Sequence, residues 1–254
     1  MPRRHLRRTQ LTCLCLALCI AGLWAQSPAS LFVFPRFLAF EGVSTGVAIF
    51  NPSTREATAQ LYLVGTDGKL VSGIVNPATV RVPPLGQIAR TADQLFGSFT
   101  MLDGWLTISS STPGLLAYYQ TFDSYGTYID GAESVQADMT LIFPVIPGSS
   151  EGISEIDLLN TNVRPTAVEL KLWSFGGDLL GKATVQVLAG SLYYNLTSKI
   201  FPDGTRFSDA SHITATSKPL NILSQAQSFS GTSLFAGFSS TALGGGGVDI
   251  AALN

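Results

Sequence analysis

The chain has 254 residues, 46% of them hydrophobic, with 15 Lys and Arg against 17 Asp and Glu. With no basic excess it lacks the clustered cationic surface that phosphate neutralisation demands, which excludes nucleic-acid binding, and its apolar content excludes an intrinsically disordered chain. All three cysteines, Cys13, Cys15 and Cys19, fall within the first 25 residues, so the rest of the chain has neither disulfides nor thiolate ligands to offer.

Residues 1–25 read as an export signal: Arg3, Arg4, Arg7 and Arg8 form a basic head, 11–24 an apolar stretch, and Ala25 a small residue at a cleavable position. The apolar stretch is shorter than the roughly 17 to 25 residues of a membrane-spanning helix, and no later stretch is long and apolar enough. The expected product begins near Gln26, has no transmembrane segment and is exported to a periplasmic, cell-surface or extracellular location. Without the four leader arginines it carries 11 basic residues against 17 acidic ones, a net charge of −6. Leu16-Ala17-Leu18-Cys19 has Leu18 where a lipidation box needs a small residue, and Arg7-Arg8 is not followed by the bulky apolar residue of a twin-arginine signal.

Beyond the leader the chain contains itself twice. Phe34-Pro35, Asn51, Arg55, Leu61, Leu63, Gly68 and Leu70 recur 109 positions later as Phe143-Pro144, Asn160, Arg164, Leu170, Leu172, Gly177 and Leu179. Solenoid units have periods of about 20 to 50 residues. A period this long is a whole small domain in duplicate, so the expected halves are 26–138 and 139–254, each near the ~100 residues of an immunoglobulin domain.

The elements follow in matching order. Val47 and Ile49 alternate with Gly46 and Ala48, and their counterparts Ile156 and Leu158 alternate with Glu155 and Asp157. This predicts a strand whose inward face is kept while its outward face drifts. Asn51-Pro52-Ser53 and Asn160-Thr161-Asn162 predict turns. Ala59, Leu61 and Leu63, matched by Val168, Leu170 and Leu172, predict the next strand, and Asp67-Gly68 and Gly176-Gly177 the hairpin turns after it. The first copy is then four residues longer, around 71–77, before Val80 and Val82 match Val185 and Val187 at an offset of 105. Residues 93–96 and 198–201 each fit one helical turn, and two more strands close each half. Their register is ambiguous, because Ile108 matches Ile213 at 105 while Pro113 matches Pro219 at 106, which points to a bulge in one copy. The linker 134–139 has no glycine or proline and predicts closely held domains, whereas Gly244 to Gly247 predicts a flexible end.

The run Thr45-Gly46-Val47-Ala48-Ile49-Phe50-Asn51-Pro52, the strand at 59–63 and Asp67-Gly68 resemble the tandem immunoglobulin-like β-sandwich repeats of bacterial exported proteins. The second copy departs from the pattern at Glu155 and Thr161. The resemblance implies an all-β fold of two antiparallel sandwiches and a surface, adhesion or accessory module that binds a protein or a polysaccharide. It names no ligand and no cofactor.

No constellation carries a strong catalytic signature. Gly148-Ser149-Ser150-Glu151-Gly152 matches the serine-hydrolase elbow, but strand residues follow it where the elbow needs a helix. His212 is the one histidine beyond the leader and assembles no His or Cys metal site. Asp123 and Asp130 are the pair a glycosidase would use, and Asp103-Gly104, Asp130-Gly131 and Asp203-Gly204 lack the Asp-x-Asp-x-Asp run of a calcium loop. Asn195-Leu196-Thr197 is a glycosylation triplet without an assigned role. The remaining signal is an asymmetry: Trp105, Tyr118, Tyr119, Tyr125 and Tyr128 enrich the first copy, where the second has mainly Ser, Ala, Gln and Gly. Exposed aromatic rings stack on sugars or anchor protein partners, so these five are the candidate binding residues. The competing reading places Tyr118 or Tyr119 in the core and Trp105 over the domain junction.

Overall fold

The computed structural model describes residues 30–133, 140–143, 155–217 and 234–239. The export signal, the linker 134–139, Ser149 and Ser150 of the elbow pattern and the glycine run at 244–247 all lie outside them. The described chain is predominantly β, and every strand pair is antiparallel.

The first half contains β1 (Ser30–Phe40), β2 (Val43–Phe50), β3 (Ala57–Gly65), β4 (Ala78–Val82), β5 (Gln87–Thr91), α1 (Ala92–Phe96), β6 (Met101–Ser110), β7 (Leu116–Asp123) and β8 (Tyr128–Glu133). One layer runs β4-β3-β6-β1. The other is β2 flanked by β5 and by β7-β8, and the two are continuous only where Phe40 of β1 meets Val43 of β2. Between them lie Phe34, Phe37, Ile49, Leu61, Leu63, Leu106, Ile108 and Tyr119, fully or almost fully buried. The period-two alternation read along β2 and β3 is this division into an inner and an outer face.

The second half contains β9 (Thr140–Phe143), β10 (Glu155–Asn160), β11 (Thr166–Ser174), β12 (Leu179–Val187), β13 (Leu192–Leu196), α2 (Thr197–Ile200), a 3-10 turn (Phe207–Asp209), β14 (Ala210–Ser217) and β15 (Leu234–Ser239). Its layers run β12-β11-β14-β9 and β13-β10-β15. Strand for strand this is the order β4-β3-β6-β1 and β5-β2-β7, with α2 standing where α1 stands. A separate core of Leu141, Phe143, Ile156, Leu158, Leu170, Leu172 and Ile213 fills it.

Register refines the sequence alignment. Ala57 and Ala59 pair with Val82 and Val80 as Thr166 and Val168 pair with Val187 and Val185, which agrees with the offset of 105 on that strand. Leu63 and Leu61 pair with Leu106 and Ile108, whereas Leu172 and Leu170 pair with Ile213 and Ala215. Ile213 therefore answers Leu106 rather than Ile108. The slip is two residues, so it conserved the face and escaped the pattern. Ser211 is bulged between His212 and Ala210, the partners of Trp173 and Ser174.

The duplicated asparagines explain themselves. Asn51 Nδ2 donates to the carbonyls of Arg55, Val82 and Pro83 while Oδ1 accepts from Ser53. Asn160 makes the same bonds to Arg164, Leu188, Val187 and Asn162. A buried amide that ties three carbonyls holds a turn that has no ladder of its own. In the longer loop of the first half, Asn76 replaces a strand partner, bonding both the N–H and the carbonyl of Leu63.

Candidate functional site

The five aromatic candidates do not form one group. Tyr119 is 4% exposed and meets Phe34 edge-on in the core, with ring centroids 5.5 Å apart. Trp105 is 8% exposed and faces outward from β6, but the second half covers it. Tyr118 is 50% exposed on the outer face of β7. Tyr125 and Tyr128 are exposed at and beside the β7–β8 turn, where Asp123 accepts from the N–H groups of Tyr125 and Thr127. Only Tyr118, Tyr125 and Tyr128 present rings to solvent.

The cover over Trp105 is a junction between the halves. Val33, Val64 and Trp105 of the β3-β6-β1 layer close against Leu159 and Leu192 of β10 and β13 in one apolar cluster. Trp105 Nε1 donates to the Gly190 carbonyl at 3.1 Å, and Leu192 N to the Thr66 carbonyl at 3.1 Å. Gly68, with φ 82°, brings its hairpin so close that a Cβ there would lie 2.9 Å from Ala189 O and from Gly190. A side chain at that position would push the halves apart as well as strain the turn.

Beside this cluster lies an ionic clamp. Phe34 and Phe37 pair with Leu106 and Gly104, which leaves Pro35 and Arg36 together opposite Trp105 in a bulge. The bulge aims Arg36 across the junction. Its guanidinium binds the Asp103 carboxylate, lies 3.8 Å from Glu155 Oε1 and sits 4.6 Å over the Tyr194 ring. Tyr194 Oη donates to Asp103 Oδ2 at 3.4 Å. Burial, the largest influence, pulls the Arg36 pKa down, yet the carboxylates of Asp157, Asp103 and Glu155 together hold it above its ordinary value. Burial pushes the Glu155 carboxyl up, only partly offset by Arg36. The outward positions of β10, which vary between the copies, are thus junction residues: Asp157 is fully buried because the first half lies over it.

The equivalent face of the first half is open. On the outer side of β5-β2-β7, Phe50 pairs with Gln87 and Leu116, and Ala48 with Tyr118. Leu116 is 62% exposed. Phe32, Ala48, Phe50, Gln87, Leu116 and Tyr118 line a half-open groove of ≈ 390 Å³. That volume sits at the low end of small-molecule pockets, and the Gln87 amide and the Tyr118 hydroxyl are the polar groups on its wall.

The other candidates sit apart from the groove. His212 shares a 2.8 Å hydrogen bond with Ser211 and stacks on Trp173, with centroids 6.3 Å apart. Asp103 is engaged in the junction, and Asp203-Gly204 is a turn with Gly204 at φ 83°. Among the described residues no group of three or more His, Cys, Asp or Glu is placed to hold a metal ion, and no helix is long and apolar enough to cross a membrane.

The chain matches no known family model and no curated protein. Among solved structures, the crystal structure of Thermotoga maritima 1070 aligns with 42% of this chain and 91% of its own, at 17% identity and a TM-score of 0.34. A likeness at that level carries no argument about fold or function.

Proposed function

We propose that this chain is a non-catalytic, exported structural and interaction protein, built as two tandem immunoglobulin-like sandwiches that a buried junction holds as one unit. The outer face of β5-β2-β7, around Phe50, Leu116 and Tyr118, is its binding surface. The observation that carries this reading is the contrast between equivalent faces: in the second half the face is covered, and in the first it stands open and apolar. A polysaccharide partner is the second reading, favoured by the exposed rings of Tyr118 on β7 and of Tyr125 and Tyr128 at the β7–β8 turn.

Two variants test the surface. Tyr118 is half-exposed and Phe50 about a third exposed, so Tyr118→Ala and Phe50→Asp are each expected to leave the chain folded at a cost of about 1–2 kcal/mol. Both are expected to abolish binding by the chain on glycan arrays and on arrays of exported proteins. Binding that survives both substitutions, or no binding on either array together with no self-association, would overturn the assignment.

A further inference from the structure

The internal junction and the open face are made from equivalent strands. The second half docks through Leu159 and Leu192 onto Val33, Val64 and Trp105. Register carries each position onto the other half. Leu159 pairs with Leu192 as Phe50 pairs with Gln87, so Phe50 occupies the place of Leu159. Val64 pairs with Trp105 as Trp173 pairs with His212. Val33 pairs with Thr107 as Ile142 pairs with Thr214. Each chain therefore carries a second docking face, around Phe50, and a second receiving face, around Ile142, Trp173 and His212. Phe50 and Ile142 are exposed, and Trp173 and His212 are partly buried.

The turns agree. Asn51 N donates to Gly86 O as Asn160 N donates to Ser191 O, which puts Leu85 in the place of Gly190. Both residues are left-handed, at φ 51° and 65°. A leucine rarely adopts that region, and Leu85 is 65% exposed. In the junction Gly190 lies against Gly68, whose counterpart is Gly177. A Cβ on Gly190 would lie 3.6 Å from Gly68 O, an ordinary contact, and around Gly177 nothing lies within 4 Å of a Cβ. The same docking geometry therefore leaves room for the Cβ of Leu85 over Gly177 of another chain.

We propose that the partner of the open face is a second copy of this chain, docked head-to-tail: the β5-β2-β7 face of one copy covers the β11-β14-β9 face of the next. The inference rests on the reading of that face as a binding surface and supplies its occupant. Such a contact is heterologous, so it extends into a filament or closes into a ring rather than stopping at a dimer. Gly46, Ala48 and Ala89 stand where Glu155, Asp157 and Tyr194 stand in the junction, so the copy-to-copy contact lacks the ionic clamp and is weaker than the internal one.

Sedimentation of the chain from residue 26 onward, which contains every strand described, tests this up to about 1 mM, the effective concentration a short linker supplies. The wild type is expected to grow past a dimer as concentration rises. Phe50→Asp and Ile142→Asp, each checked for a cooperative melting transition, are expected to be monomeric alone, and their equimolar mixture to form a one-to-one pair and nothing larger. Tyr118→Asp and Trp173→Asp replace them if either fails to fold. Failure of the mixture to pair, or a Phe50→Asp protein that still self-associates, overturns the proposal. An Ile142→Asp protein that dimerises overturns it too, through a two-fold contact, but keeps the face as a binding surface. A monomeric wild type with array binding that Phe50→Asp abolishes also overturns the second copy alone. A monomeric wild type that also binds nothing on either array overturns both readings.

Discussion

Replacing Arg36 with methionine is expected to cost about 3–5 kcal/mol, the penalty for leaving buried carboxylates without their cation. Three negative side chains, Asp103, Glu155 and Asp157, converge on this guanidinium, and Arg36 and its partners Asp103 and Glu155 are each less than a fifth exposed at the side chain. At roughly 2–4 °C per kcal/mol for a chain of this length, the midpoint should fall by about 6–20 °C in calorimetry. The charge argument carries its own control. Asp157→Asn in the Arg36→Met background should recover part of the loss, because the remaining repulsion is smaller, and the non-additivity measures the coupling. A midpoint that stays within 2 °C of wild type by the same scale would show that the clamp is solvated and inert.

Trp105→Ala should be as damaging, at about 3–5 kcal/mol, by a different route. The ring fills the space between Val33, Val64, Leu159 and Leu192, and its Nε1 bonds the Gly190 carbonyl. Each half keeps its own core, so the loss falls on the coupling between them. The expected calorimetric signature is one transition resolving into two, with Trp105→Phe showing less than half the effect because it restores apolar area without the hydrogen bond. Trp105→Ala that leaves a single unshifted transition would place the ring outside the energetics of the junction. The contrast with Tyr118→Ala, a similar truncation in the same aromatic-rich region with a smaller expected cost and no splitting of the transition, separates a junction residue from a surface one.

Much of the architecture was legible before any coordinates. The 109-residue period, the alternation through Ala59, Leu61 and Leu63, and the turns at Asp67-Gly68 and Gly176-Gly177 reappear as matching strand orders, two cores and two hairpins. Alternation states which residues face in. It is silent on whether the outer face meets water or another sheet, and so it left Trp105 open between a binding surface and the domain junction. Trp105 and Tyr118 both point outward; the second half covers one and leaves the other bare. Glu155 and Asp157 look like free drift on an exposed face, and they are the acidic side of the clamp. The signal available in the sequence was the pair of charges itself, since two carboxylates gained at alternate positions of a buried strand call for a cation. Its source, Arg36, owes its direction to a bulge that no local pattern announces. The groove was missed for a related reason: Phe50 and Leu116 are ordinary strand residues until it is seen that no layer of the described residues lies over them.

The central claim is that the junction fixes the two halves as one body and so leaves the β5-β2-β7 face of the first half open. Its most direct test is a distance. The three native cysteines all lie in 1–25, so a chain from residue 26 carrying Ser124→Cys and Val163→Cys has only those two thiols to label. Val163 is exposed, as is the β7–β8 turn that carries Ser124. Electron-spin dipolar spectroscopy on the doubly labelled protein should give a single narrow distance distribution that broadens in the Arg36→Met and Trp105→Ala backgrounds. A distribution already broad in the wild-type background would contradict the account, because halves that swing freely share no buried junction.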